Sequence, residues 1–417
     1  MNTINNTADV AVARRPGKLN FVLVCVFLDM LGVGIVLPSL PIFIGELAGS
    51  RATQAYWYGM LVMVYGITTF LFSPILGGLS DRFGRRPVLL LSMLGMALNF
   101  IVTASATSLT GLFIGRVIGG LSSANMSVAS AYATDVSEPD ERAKSFGRIG
   151  AAFSIGFIFG PLLGGLLGGT SLHLPFYVAA GLCLINAVYG YFFVVESLAP
   201  QKRHPFSLAK ANAFSALGRL ATSPATRLLF IAFGLQVMAG LMSQTTFALY
   251  TNFRFGWSPF EVGAALCCVG VGSTVMQAFL LDRLVKWLGE TRLVLIGQTS
   301  GGLAFLLYGV ATQGWMIYVV ILFNIFSFAS PAALQSIVSK ANRSSGHGTL
   351  MGSMQSLRSL ALVLAPLLGS AILATGSKLP ASDWRMGSVY YVCAALQLGA
   401  LLVMWCYLRS RPVEAAA

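Results

Sequence analysis

Two charged residues sit where charge is expensive. Asp29 lies about ten residues into an apolar stretch that begins after Lys18, hence roughly 15 Å deep at ~1.5 Å per residue. It is the only clear acidic residue in any apolar stretch. A carboxylate at that depth must be paired, hydrated or protonated. It can exchange a proton as access to water alternates, or hold a cationic substrate; a static pair between helices is the plainer alternative. Arg116 is the cation expected deep inside a stretch. It enters from the opposite side, so its backbone should lie about 10 Å from that edge of a hydrocarbon core ~30 Å thick. Asp29 and Arg116 are then separated by about 5 Å of depth. A direct or water-bridged pair is expected, either constitutive or weakened when Asp29 takes up a proton.

Amides within the apolar stretches either line a hydrated cavity or hold helices together. Asn125, Gln244, Gln277 and Gln335 are the four expected on a central substrate route. Gly156, Gly160 and Gly164 recur at four-residue spacing around Pro161. Such rows let helices approach closely, and Pro161 removes a backbone donor and favours a bend. This is a packing face or a packed hinge that controls gating. The turn Gly78-Leu79-Ser80-Asp81-Arg82-Phe83-Gly84-Arg85-Arg86-Pro87 is too charged for hydrocarbon. Asp81, Arg82, Arg85 and Arg86 are expected to latch onto Asp135, Glu138, Asp140, Glu141, Arg142 or Arg148, or else to be solvated, topogenic charge.

The elements that must hold these residues are membrane helices. The 417 residues are 56% hydrophobic and 10% charged, against roughly 25% charged in soluble proteins. Stretches at about 19–42, 56–79, 88–107, 110–133, 146–169, 175–195, 225–250, 260–281, 291–311, 314–338, 348–372 and 386–408 each approach a bilayer's thickness. The fold class expected is all-α, with twelve transmembrane helices. Of the 27 Lys and Arg, Arg51, Arg254, Lys378 and Arg385 fall on the outer side and Arg116 inside. The other twenty-two, Arg358 among them, fall in cytoplasmic loops or at their helix ends. That bias places both termini in the cytoplasm. It also accounts for the net charge of +13 without nucleic acid. Six cysteines in apolar stretches show neither zinc spacing nor a disulfide framework.

The chain carries a repeat. Gly160-Pro161-Leu162-Leu163-Gly164 returns as Ala365-Pro366-Leu367-Leu368-Gly369, 205 residues on. The turn at Asp81 is echoed at Asp282, 201 residues on. Two pseudo-twofold-related six-helix halves follow, with a route between them. The expected organisation is a tail at 1–18, bundles at 19–196 and 225–408 joined by a cytoplasmic linker at 197–224, and a tail at 409–417.

The turn from Gly78 to Pro87 resembles the cytoplasmic signature of the major facilitator superfamily. Gly115-Arg116-Val117-Ile118-Gly119-Gly120 resembles its fourth-helix arginine motif, and Gly150 through Gly165 the fifth-helix motif of its drug:proton antiporters. Leu28-Asp29-Met30-Leu31-Gly32-Val33-Gly34 is similar to the first helix of the tetracycline:proton antiporters. In that group an aspartate, a histidine and an aspartate stand where this chain has Asn99, Ser273 and Gly301. These replacements leave Asp29 as the principal titratable membrane site and weaken tetracycline–metal recognition. The resemblance implies a bacterial inner-membrane carrier that exports amphipathic organic compounds or drugs against protons, without a cofactor and as a monomer. Its partners would be substrate, protons and lipid. A carrier for one metabolite, such as a sugar or siderophore, is the alternative, and a receptor or scaffold a distant one. No nucleophile, base or metal cluster points to an enzyme.

Overall fold

The protein, seen in a computed structural model, is described at residues 18–138, 141–203, 224–341 and 347–409. Most of both expected tails, most of the 197–224 linker, and Asp140 lie outside the described residues. The described chain is helical throughout. In order come α1 (Lys18–Val36), α2 (Leu40–Ala48), α3 (Arg51–Phe83), α4 (Arg85–Ala104), α5 (Leu109–Leu121), α6 (Asn125–Val136), α7 (Arg142–Thr170) and α8 (Leu174–Phe193). Then follow α9 (Pro224–Phe255), α10 (Pro259–Val275), α11 (Leu281–Val310), α12 (Gly314–Phe323), α13 (Ser330–Ala341), α14 (His347–Gly376) and α15 (Ser388–Arg409).

Among the described residues, ten helical segments are long and apolar enough to cross a membrane. The count is eleven if the pair Gly314–Phe323 and Ile325–Lys340, bent by 55°, is one span. The chain is an all-α polytopic membrane protein. One of the ten, Pro259–Val310, runs for 52 residues, about 78 Å if straight. Gly289 breaks it with a left-handed φ of 75°. Short polar signals start the helices. Ser50 and Ser108 accept hydrogen bonds from Thr53 and Gly111 backbone N–H groups, and Ser258 with Glu261 forms a capping box. Large apolar side chains stay exposed along α4 (Leu91, Leu94, Leu98) and α8 (Ile185, Val188, Phe192). On a membrane helix such faces meet lipid.

The cores show how the helices are grouped. One buried cluster holds residues from both chain halves, such as Phe43, Tyr58 and Phe176 with Tyr250, Trp257 and Tyr390. All of these sit near the Arg51 end of their helices. Near the Arg85 end there are two separate clusters. One is made only of residues 19–194, with Val22, Met93 and Tyr132, and the other only of residues 229–407, with Leu229, Leu293 and Tyr407. The halves are therefore joined at the Arg51 end and parted at the Arg85 end.

Small residues make the join. α3 lies on α14 and α7 on α10. A side chain at Gly66 would meet the Leu362 carbonyl at 3.1 Å, and one at Gly263 would overlap the carbonyl of Pro161. Arg51 lies over the Phe253 ring at 5.6 Å. At the other end, Gly77, Gly147 and Gly150 face open space.

Candidate transport site

The parted halves leave two cavities, each of about 390 Å³. The first is bounded by α1, α3, α4, the α5–α6 break, the first turns of α6 and one residue of α14, Gln355. Asp29 borders it and is nevertheless 7% exposed. Its Oδ1 accepts a 2.6 Å hydrogen bond from Asn125 Nδ2. The local sequence explains the geometry. α5 stops at Leu121 and α6 restarts at Asn125, so the Ser122-Ser123-Ala124 break opens a helix N-terminus halfway along the span. Its positive end favours a carboxylate, and Asn125, the first residue of α6, delivers the hydrogen bond. Asn125 Oδ1 is buried without a partner.

Arg116 is also buried, but it does not pair with Asp29; no salt bridge joins them. Its guanidinium lies over the Tyr65 ring at 5.9 Å, and its Nε and Nη2 are unpartnered. The direct pair expected from depth alone fails because α5 turns Arg116 toward α3. Tyr65 stands between: it faces Arg116, borders the Asp29 cavity, and donates its hydroxyl to Ser123 at 3.2 Å. Sequence reasoning missed Tyr65, which carried no signal beyond being a hydroxyl in an apolar run.

The second cavity belongs mainly to the second half, with Phe157 of α7 on its wall. Phe233, Phe247 and Phe305 supply aromatic surface, and Gln236, Gln244 and Asn324 supply amides. Gln244 lines this cavity. Gln277 and Gln335 border neither of the two. Gln277 falls in a π-helical turn, Met276–Leu280, and donates to Ser273 Oγ at 2.7 Å. The extra residue in such a turn rotates the side chains that follow. Gln335 lies on the exposed face of α13. Arg358 is a further departure. The charge count assigns it to a loop end, whereas it stands eleven residues into α14 on the wall of this cavity.

The glycine row of α7 packs on α1. A Cβ at Gly160 would lie 2.7 Å from Gly34 Cα, one at Gly156 would lie 2.8 Å from the Phe27 carbonyl, and one at Gly164 would overlap Ile35. These contacts pin α1, and with it Asp29. Pro161 lies within an unbroken helix and turns its carbonyl to Gly263 of α10. It therefore marks a three-helix junction.

The charged turn is ordered. Gly78 is in the last turns of α3, and Gly84 takes a φ of 109°, which disfavours any side chain. Arg85 pairs with Asp81 at 2.5 Å and Asp135 at 3.1 Å, and donates to Ser80 at 2.7 Å. Arg86 donates to the Tyr191 carbonyl, and Arg82 lies over Phe83. The Asp135 partner was expected; Glu196 was not. Its carboxylate accepts from the Arg85 and Arg86 backbone N–H groups at 2.9 and 3.2 Å, capping α4. These contacts all stay inside the first half, so the turn clasps α3, α4, α6 and the end of α8 rather than bridging the halves.

The model of the Major Facilitator Superfamily matches residues 22–366. The chain belongs to that superfamily. The tetracycline resistance protein, class C, of Escherichia coli is 34% identical over 90% of this chain and 93% of its own length. Multidrug resistance protein 2 of Bacillus subtilis (strain 168) is 30% identical over 83% and 86%. Among solved structures, the human organic anion transporter MFSD10 (TETRAN) superposes with a TM-score of 0.66 at 25% identity, covering 93% of this chain and 98% of that one. This superfamily member is a secondary active transporter of the bacterial inner membrane, not an enzyme. It carries small organic molecules by proton-coupled alternating access.

Proposed function

We propose that this superfamily member exports amphipathic, drug-like compounds, with Asp29 as the residue that binds and releases the coupling proton. One observation carries the reading: Asp29 is buried, borders a cavity between the halves, and among the described residues has one hydrogen-bond donor and no cation as partner. A carboxylate held that way responds to a change of water access, because it has no fixed counter-charge to satisfy it. Arg116 acts through Tyr65 and tunes the same cavity. Asn125 and Gln244 contribute polar contacts to the route.

The architecture proposed is twelve spans in two six-helix halves, 19–196 and 225–408, joined by the 197–224 linker. Counting Pro259–Val310 as two spans about Gly289, and the bent pair as one, supports that number. Both termini and the Arg85 end are cytoplasmic, in keeping with the basic loops. The conformation is then open to the cytoplasm and sealed outside. The transporter works as a monomer, since one chain contains both halves. Ser273 and Gly301 offer neither imidazole nor carboxylate to a metal-chelated drug, so the preferred cargo is a free organic molecule rather than a tetracycline–metal complex.

Everted membrane vesicles energised by respiration test this. Accumulation of a fluorescent amphipathic drug, and its collapse by a protonophore, measure coupled transport. Asp29→Asn, inserted at normal abundance, is expected to abolish coupled accumulation. Unchanged, protonophore-sensitive accumulation by that variant would remove Asp29 from the mechanism.

A further inference from the structure

The two cavities each carry one charged side chain, and the signs are opposite: Asp29 in the first and Arg358 in the second. Arg358 stands about 17 Å along α14 from His347 at ~1.5 Å per residue, well away from the helix end. Its side chain is exposed to the cavity rather than buried in the bundle. Among the described residues no carboxylate lies within salt-bridge distance of it, and no acidic residue lines its cavity. Five residues past Ser353, where the apolar span begins, an arginine that faces a cavity without a counter-charge is free to receive an anion that enters it. Its surroundings suit a flat apolar body: Phe233, Phe247 and Phe305 provide surface, and Gln236 and Asn324 provide hydrogen bonds. The planar guanidinium matches a carboxylate in a bidentate fork.

We infer that Arg358 is a specificity-determining residue that selects amphipathic organic anions, aromatic carboxylates above all, for the second-half cavity. This rests on the reading of the inter-half cavities as the transport route. Substrate selection and proton binding then fall to different halves. Gln355, on the Asp29 cavity, is one helical turn before Arg358, and residues three apart share a helix face. α14 is therefore the element through which an occupied anion site meets the proton site. At equal proton number, export of a monoanion moves one more charge equivalent inward than export of its neutral analogue. Anion efflux should accordingly depend more steeply on membrane potential.

The test uses full-length purified protein and three congeners of one skeleton: naphthalene-1-acetate, naphthalene-1-acetamide and 1-naphthylmethylammonium. Equilibrium binding is measured for the wild type, Arg358→Gln, Arg358→Lys and Asp29→Asn. The wild type is expected to bind the carboxylate about 10- to 100-fold more tightly than the amide, the range for a hydrogen bond to a charged group, and the ammonium most weakly. Arg358→Gln should erase that ratio while leaving amide binding within about twofold. Arg358→Lys should keep part of the ratio, and Asp29→Asn should keep the preference for the carboxylate while shifting its absolute affinity through α14. An equal loss of carboxylate and amide binding in Arg358→Gln, unrescued by Lys, marks a structural arginine and overturns the inference. So does a wild type that shows no preference for the anion. Binding of none of the three by the wild type overturns the reading of the cavity itself, and the inference with it. Coupled drug transport by the same preparation reports separately on the proton site.

Discussion

Gly263 offers the sharpest test of how the halves meet. A methyl group there would overlap the Pro161 carbonyl oxygen, and would lie 3.1 Å from the Pro161 carbonyl carbon and 3.2 Å from Gly165 Cα. Ordinary carbon–carbon contacts begin near ~3.5 Å. The obstacle is backbone on both counts, so no rotamer change relieves it. α7 and α10 must part by several tenths of an ångström or more. Overpacking of this kind costs about 1–3 kcal/mol. Since the contact seals the Arg51 end, the whole cost falls on the state in which that end is closed. The ratio of molecules open at the Arg51 end to molecules closed there should rise about 5- to 150-fold for a penalty of that size.

Gly160→Ala is the matched control. Its methyl would sit 2.7 Å from Gly34 Cα, an overlap of the same kind, but between α7 and α1 within one half. Both conformations share that contact, so the penalty should lower thermal stability without moving the equilibrium. Spin labels report the difference. In a background freed of the six native cysteines, one pair replaces Tyr56 and Trp384 at the sealed end. A second pair replaces Phe83 and Trp287 at the open end. All four side chains are at least half exposed. Gly263→Ala should lengthen the first distance and shorten the second in a growing fraction of molecules, and Gly160→Ala should change neither. If Gly160→Ala shifts the populations as far as Gly263→Ala does, the α7–α10 contact is not the seal. Nor is it the seal if Gly263→Ala leaves both distance distributions untouched.

Arg85→Ala leaves Asp135 without its charge partner and Ser80 without its donor; with Asp81 half exposed, the loss should be about 1–3 kcal/mol, read as a lower melting temperature of the purified protein. Glu196→Gln withdraws the charge that caps the first turn of α4, and should lower that melting temperature by the equivalent of about 1 kcal/mol; an unchanged value would show the cap to be dispensable. Arg254 donates to the carbonyls of Ala311 and Asp383, all within the second half, so Arg254→Ala should lower the melting temperature while leaving thiol labelling of cysteines beneath the sealed end nearly unchanged. Asn125→Ala deprives Asp29 of its one side-chain hydrogen-bond donor among the described residues, and should cut proton-coupled accumulation in vesicles at least about tenfold, the equivalent of ~1.4 kcal/mol.

The helices were legible in the sequence because hydrophobicity acts locally. Asp29 stood out for the same reason: one carboxylate in a long apolar run is expensive wherever the run packs. The glycine row around Pro161 also announced a close approach, although not its partners, since α1 and α10 are distant in the chain. What failed was anything that depended on rotation about a helix axis. Depth put Arg116 near Asp29, but depth does not say which way a side chain points, and Arg116 points at Tyr65. Gln277, inside a π turn and bonded to Ser273, borders neither cavity. Arg358 was hidden by a good rule, since basic residues toward a cytoplasmic end are common. Glu196 lay beyond reach because a lone acid after a span does not reveal which turn folds back onto it.

The placement of the glycines has a mechanical consequence. At Gly66, Gly165 and Gly263 the α3–α14 and α7–α10 contacts bring backbone against backbone, whereas Gly59 meets the Ser370 side chain and Gly270 that of Ile158. Such backbone contacts gain dispersion energy over a close approach, and at those three glycines the nearest atom across the seam is a backbone carbonyl oxygen, not an interlocked side chain. They can separate without rotamer changes, so the barrier to parting stays low even where the contact is tight. Within the second half the opposite holds. Tyr250, Tyr308 and Tyr390 stack edge to face, with ring centroids 4.7 and 5.4 Å apart, and Tyr250 donates to the Tyr308 carbonyl at 2.7 Å. Rings that interlock in this way resist shear. A rigid half and a separable seam are what rocking two bundles about a fixed site demands, and this chain assigns them to different residue types. Substituting any seam glycine by a larger residue should therefore change the populations of the two states, whereas thinning the tyrosine cluster should loosen one half and leave those populations nearly where they were.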